Sequence, residues 1–392
     1  MVDITSLVIF GLLPCIYGIG DIRLGPFENV AGGVYDAWKE ENQKNVAGGN
    51  FYAACGGDTI WLISRRQSRG GIADPWDPAA RGGIVSSLYI KTKTWTHKPY
   101  DRIDADQYGE KVFAVNKRLF LLTYSTITTK VTFHKLVYWD GSKWVDVPLS
   151  IDPKVEPDID VTDGTFKDLS LTVPDQPGNS AYLASSITGL NGPFGSELIF
   201  SRLDIQFNKA GAPIEAGLFS VGHIHSQQVG NVAYLAYHWT GYTTRLIAFL
   251  EYTGPHGPFK NTQFVYTVDL KTNKTGNETL KGDAPSVNYV EKRFFQTEDN
   301  VILLGGTLVD MGFLERVRKI WTLSLMDFEW SLVDTAIPES CDTAEFAYDQ
   351  PNGKLYAADL RTGVSVAEVT APPIVDKGFP MMPAPPPNPS KP

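Results

Sequence analysis

Cysteine is scarce: Cys15, Cys55 and Cys341 are the only three in 392 residues. So few thiols exclude a disulfide-dense scaffold and any zinc site built on clustered thiolates. Basic runs are lacking too. With 35 Lys and Arg against 44 Asp and Glu, the formal net charge is -9. Nucleic acid and anionic membrane are disfavoured as partners, because both repel such a surface. Histidine is limited to six residues. There is no nucleophile elbow, phosphate-cradling glycine loop or cysteine-rich metal pattern.

One long apolar run is present, at Ile4–Ile16, followed by small residues at Gly18 and Gly20. It predicts a signal peptide over residues 1–20 with the mature chain starting near Asp21, and so a secreted protein. The alternative is an uncleaved anchor. Against it, Pro14 and the nearby glycines leave the run short for a membrane span of about 20 residues. Asn273-Lys-Thr275 and Asn277-Glu-Thr279 are two N-glycosylation sequons in a polar stretch. At the other end, residues 371–392 are rich in proline, which favours extended polyproline structure or disorder.

Between the ends, six short apolar runs recur: Ile60–Ile63, Leu119–Leu122, Ala181–Ala184, Val232–Tyr237, Val301–Leu304 and Leu355–Ala358. Each follows a turn pair such as Gly57-Asp58, Asn116-Lys117 or Asn352-Gly353. Asn, Asp and Gly tolerate the positive φ of tight hairpins. The runs are continuous rather than alternating, as expected of strands covered on both faces. A further strand candidate lies before most runs and another after each. A Trp marks a fourth at Trp95, Trp144 and Trp330. The pattern predicts an all-β fold over residues 21–370: a six-bladed β-propeller of four-stranded antiparallel blades.

The di-glycines Gly56-Gly57 and Gly305-Gly306, the run Val268–Asn273 and the three blade-closing tryptophans resemble the kelch pattern and the central domain of galactose oxidase. The resemblance spans Phe51–Val369. Blades three and four lack the Trp, with Ile214 and Asn277 near its place. Blade six lacks a fourth strand, which Glu28–Trp38 is expected to supply, closing the ring. Cys55 opens blade one and Cys341 precedes blade six. Those blades are neighbours in a closed ring, so a Cys55–Cys341 disulfide is expected there.

Antiparallel blades put tight turns on one face and the long connections on the other. Expected long loops are Ser64–Gly83, Thr188–Glu197, Val309–Arg318 and much of Trp239–Thr262. They carry Arg65, Arg66, Arg69, Trp76, Phe194, Phe259, Arg316 and Arg318. Arginine beside exposed aromatics suits a protein partner or an anionic or glycan ligand. The first reading is therefore a monomeric, non-catalytic binding module with no cofactor. Its competitors are a secreted metal-dependent hydrolase or lactonase-like enzyme with its site in the central channel, and a structural matrix component. Metal candidates are His223 and His225, two residues apart on one strand face, with His238 expected on the next strand of the same blade. Asp158, Asp160 and Asp163 form an acidic turn whose spacing does not match an EF-hand.

Overall fold

The computed structural model describes residues 22–36, 51–65, 83–100, 103, 109–125, 132–156, 164–174, 178–189, 196–226, 230–252, 262–286, 289–290, 292–310 and 313–370. The predicted signal segment, the proline-rich stretch and Asp158–Asp163 lie outside these residues.

Six separate antiparallel sheets stand in a ring. Blade one comprises Phe51–Gly56, Thr59–Arg65, Gly83–Tyr89 and Thr94–Tyr100, innermost strand first. Blade two comprises Gly109–Val115, Arg118–Ser125, Thr132–Trp139 and Trp144–Val147. Blade three adds Leu149–Ile151 in parallel outside Pro213–Ser226, and blade five adds Lys281–Gly282 outside Glu329–Ala336. Blade six runs Glu345–Asp349, Lys354–Asp359 and Gly363–Thr370. Two N-terminal strands, Arg23–Leu24 and Glu28–Ala31, complete it against Gly363–Thr370. The expected ring closure is thus formed, by a shorter strand than anticipated.

The continuous apolar runs are explained by where alternate residues go. Ile60 and Leu62 pack towards blade six, whereas Trp61 and Ile63 pack towards blade two. Val301 and Leu303 face blade four, whereas Ile302 and Leu304 face blade six. In the same way, Leu355 and Ala357 meet blade five while Tyr356 and Ala358 meet blade one. A strand buried on both faces gains from an apolar residue at every position. The core is accordingly six clusters, one per seam between blades.

Closure depends on close backbone approach. Val34 and Tyr35 both donate their amides to the Leu360 carbonyl, and Trp95 Nε1 donates to Gly32 O at 3.1 Å. Gly363 has φ +98°, and a Cβ there would collide with Ala31 O. Only glycine fits that position.

Three sequence expectations are corrected. Val232–Tyr237 belongs to the innermost strand of blade four, Asn231–Trp239, and not to its second. The second is Thr244–Tyr252, inside a stretch expected to be loop. Nothing in a single apolar run tells an inner strand from the next one out, because both are flanked by neighbouring blades. Similarly, strands Asn300–Asp310 and Phe313–Ser324 extend through the loop expected at Val309–Arg318. Cross-strand pairing continues there to Asp310 and Phe313 past a bulge at Leu304/Gly306.

The third correction is the disulfide: Cys55 and Cys341 are both free thiols. Cys341 sits in the seam between blades five and six, while Cys55 packs into the seam between six and one. The sheet of blade six stands between them. Adjacency of blades in the ring therefore does not bring the sulfurs together. Cys55 Sγ instead donates to Tyr348 O at 3.1 Å, bridging blades one and six directly.

Candidate ligand-binding cavity

Radial strands leave a space on the axis that linear spacing does not reveal. A cavity of about 1450 Å³ is lined by the innermost strands of all six blades. Its lining includes the tight turns Gly57-Asp58, Asn116-Lys117 and Gln350–Gly353, together with Gly178 and Asn179 just before the second strand of blade three. Positive φ at Gly57, Asn116, Lys117 and Gly353 keeps these turns compact, so they frame the mouth without covering it.

Blade four contributes the most prominent side chains. Tyr234, Tyr237 and Trp239 line the wall. Tyr234 stacks on Phe294 of blade five, and Tyr237 on Tyr182 of blade three, each with ring centroids 5.3 Å apart. Burial pushes the Tyr234 phenol above its ordinary value, and that of Tyr237 likewise. Trp239 is 47% exposed, and Tyr242 in the following turn is 73% exposed. The turn is locked by the Thr240 amide to Thr243 O at 3.0 Å and by the contact between their hydroxyls at 3.1 Å.

Polar contacts border the apolar seam between blades four and five. Two short strands of blade five, Tyr289–Val290 and Phe294–Gln296, share its innermost position against Asn300–Asp310. Because the blades are separate sheets, the inner edge of blade four's first strand pairs with no strand among the described residues. The Gln296 side-chain amide fills that place, donating to Tyr237 O and accepting from Tyr237 N at 3.1 Å. His238, only 1% exposed, bonds through Nε2 to Asp299 Oδ1 at 3.1 Å. Farther along the seam, Lys292 pairs with Glu251, and Gln263 Nε2 donates to the same carboxylate at 3.1 Å. Burial lowers the Lys292 pKa against the opposing pull of Glu251.

Acids on the cavity rim are partly compensated. Asp58 holds Lys91 at 2.7 Å, and Asp349 accepts from Asn352 Nδ2 at 2.7 Å. Cys55 also lines the cavity. Its burial, with the neighbouring Asp349 charge, pushes the thiol up to about 12. A thiol so protonated at neutral pH is a poor nucleophile.

The expected binding residues are not gathered into one described surface. Arg66, Arg69, Trp76, Phe194 and Phe259 lie outside the described residues. Arg65 ends the second strand of blade one. Arg316 and Arg318 sit on a strand of blade five rather than a loop. Arg318 grips Asp342 in a two-pronged pair, Nε to Oδ1 at 2.9 Å and Nη2 to Oδ2 at 2.7 Å. This clamp between blades five and six holds the Asp342 carboxyl below its usual range. The sequon residues Asn273 and Asn277 are both exposed, on the outer hairpin of blade four.

Of the metal candidates, His223 and His225 belong to blade three and His238 to blade four, so the expected trio is split between blades. His223 Nε2 lies 2.9 Å from Glu197 Oε2, and His225 Nδ1 lies 3.5 Å from Glu197 Oε1. Among the described residues, no group of three or more His, Cys, Asp or Glu is arranged to hold a metal ion.

These features define the class: a six-bladed β-propeller with an open axial cavity. No protein-family model and no curated protein matches the chain. Among solved structures, it is similar to YjhT, at 11% identity and TM-score 0.42, over 82% of this chain and 93% of that one. It is similar to the polysaccharide lyase Uly1, at 9% identity and TM-score 0.39, over 90% and 99%. A B. megaterium levansucrase variant gives 10% identity and TM-score 0.38, over 81% and 86%. At such identities the likeness concerns the fold alone, and the kelch-like pattern remains a resemblance in sequence.

Proposed function

We propose that the chain is a secreted, non-catalytic binding propeller that takes its ligand in the axial cavity from the tight-turn face. One observation carries this reading: the cavity is walled by all six blades, and Trp239, a lining residue, leaves its ring half exposed. Large, rigid aromatics left in water at the mouth of a concave site are binding features. The engaged carboxylates Asp58 and Asp349 support binding over acid–base chemistry, since each already has a partner. The leader-like start and the exposed sequons support a secreted setting. The reading moves recognition from the long-loop rim to the opposite face, because Arg318 is already committed to Asp342.

Crystallographic fragment screening tests it directly, because a chemically diverse set of small probes needs no named ligand. Bound fragments are expected to concentrate between Trp239 and the Asn116-Lys117 turn. Fragments collecting on the opposite rim, with the cavity vacant at high fragment concentration, would overturn it.

A further inference from the structure

We infer that the cavity's ligand is a neutral saccharide, with one pyranose ring stacked on Trp239; this rests on the cavity being the binding site. A pyranose ring has a face of C–H bonds and an edge of hydroxyls. It therefore asks for a flat apolar surface bordered by groups that both donate and accept hydrogen bonds. Trp239 supplies the surface: it lines the cavity, is 47% exposed, and ends its strand just before a turn fixed by the Thr240–Thr243 bonds. Such rings lose little conformational freedom on binding, which favours affinity.

The border is supplied by side-chain amides. Asn116, Asn179, Gln350 and Asn352 all line the cavity, from connections between strands in blades two, three and six. An amide carries two donors and an acceptor, matching hydroxyls, which also do both. Charge argues against an ionic ligand. Asp58 is paired with Lys91 and Asp349 is bonded to Asn352. The remaining charged lining residues, Lys117 and Glu298, are one of each sign. The described lining thus holds no cluster of cations for an anion. Volume argues for several rings rather than one, because about 1450 Å³ exceeds the roughly 300–1,000 Å³ of ordinary small-molecule sites.

The test is calorimetric titration of the full protein with cellohexaose, laminarihexaose, xylohexaose and N-acetylchitohexaose at millimolar concentration. An anionic heparin hexasaccharide and a ten-residue polyproline peptide run beside them. Two cavity variants, Trp239→Ala and Asn179→Ala, are compared with Leu332→Ala, which removes an exposed side chain from the outer strand of blade five. Matching thermal midpoints confirm that all three variants fold. Saturable binding of a neutral hexasaccharide is expected, weakened at least about tenfold by either cavity variant and unchanged in the control. If no neutral hexasaccharide binds, the ligand class is wrong. If the anionic or peptide probe alone binds, and needs Trp239, the class fails while the cavity reading stands. If a hexasaccharide binds equally well to both cavity variants, the site on the axis is wrong.

Discussion

Gln296 shows how much one side chain can decide in a repeat fold. Its amide ties blade five to the open inner edge of blade four by bonding both the N–H and the C=O of Tyr237. Replacing it with leucine strands a partly buried N–H and C=O, and an unmade buried bond costs more than a made one contributes. Gln296→Leu is expected to lower stability by about 2 kcal/mol, measured by urea unfolding. An effect within error would show that water satisfies Tyr237. The cysteines give a second test at this scale. Denatured, unreduced protein from residue 21 onward should titrate as two thiols; none would restore the cystine. Cys55 also bears on pH. The folded state holds this proton to about 12, against an ordinary value of 9.0, and Tyr182 and Tyr356 are likewise raised to about 12 by burial. Between those values the native state binds more protons than the unfolded chain. Stability is therefore full below pH 9 and falls as pH rises towards 12. Urea midpoints at pH 8, 10 and 11 should decline in that order, and less steeply in Cys55→Ala.

At the scale of the strand, the runs around Ile60, Leu119, Ala181, Val301 and Leu355 are legible because two-sided burial writes every position apolar. The closing strand is legible for a different reason: blade six runs into proline before a fourth strand can form. Blade four misleads because its inner strand is as apolar as a second strand. Sequence alone therefore puts Val232–Tyr237 one strand too far out and Trp239 in a loop, which hides these aromatics from the cavity wall. The recurrence of Tyr234, Tyr237, Trp239 and Tyr242 within nine residues is the available signal. Closure itself predicts a contrast between neighbouring glycines. Gly363→Ala would drive a Cβ into the Ala31 carbonyl at positive φ, whereas a Cβ at Gly32 meets nothing within 4 Å. The first should cost at least about 2 kcal/mol and the second within about 0.5 kcal/mol. Equal thermal shifts in both would contradict the described clasp.

For the whole molecule, the ring converts six weakly individual sheets into a cavity that none of them forms alone. Each core cluster belongs to two blades, so a blade separated from its neighbours exposes one face of every inner strand. The axial site is illegible in the sequence because its wall draws one strand from each of six distant segments. Burial across seams also makes the two ends of the described chain interdependent: the sheet of Gly363–Thr370 is finished by the N-terminal strands that end at Ala31. Amide hydrogen exchange of the native protein, followed by mass spectrometry, tests this most directly. The peptide containing Glu28–Ala31 should be protected to the same degree as that containing Val364–Val366, with both released together on unfolding. Exchange of the N-terminal peptide at the rate of free chain, while Val364–Val366 stays protected, would contradict the closed ring.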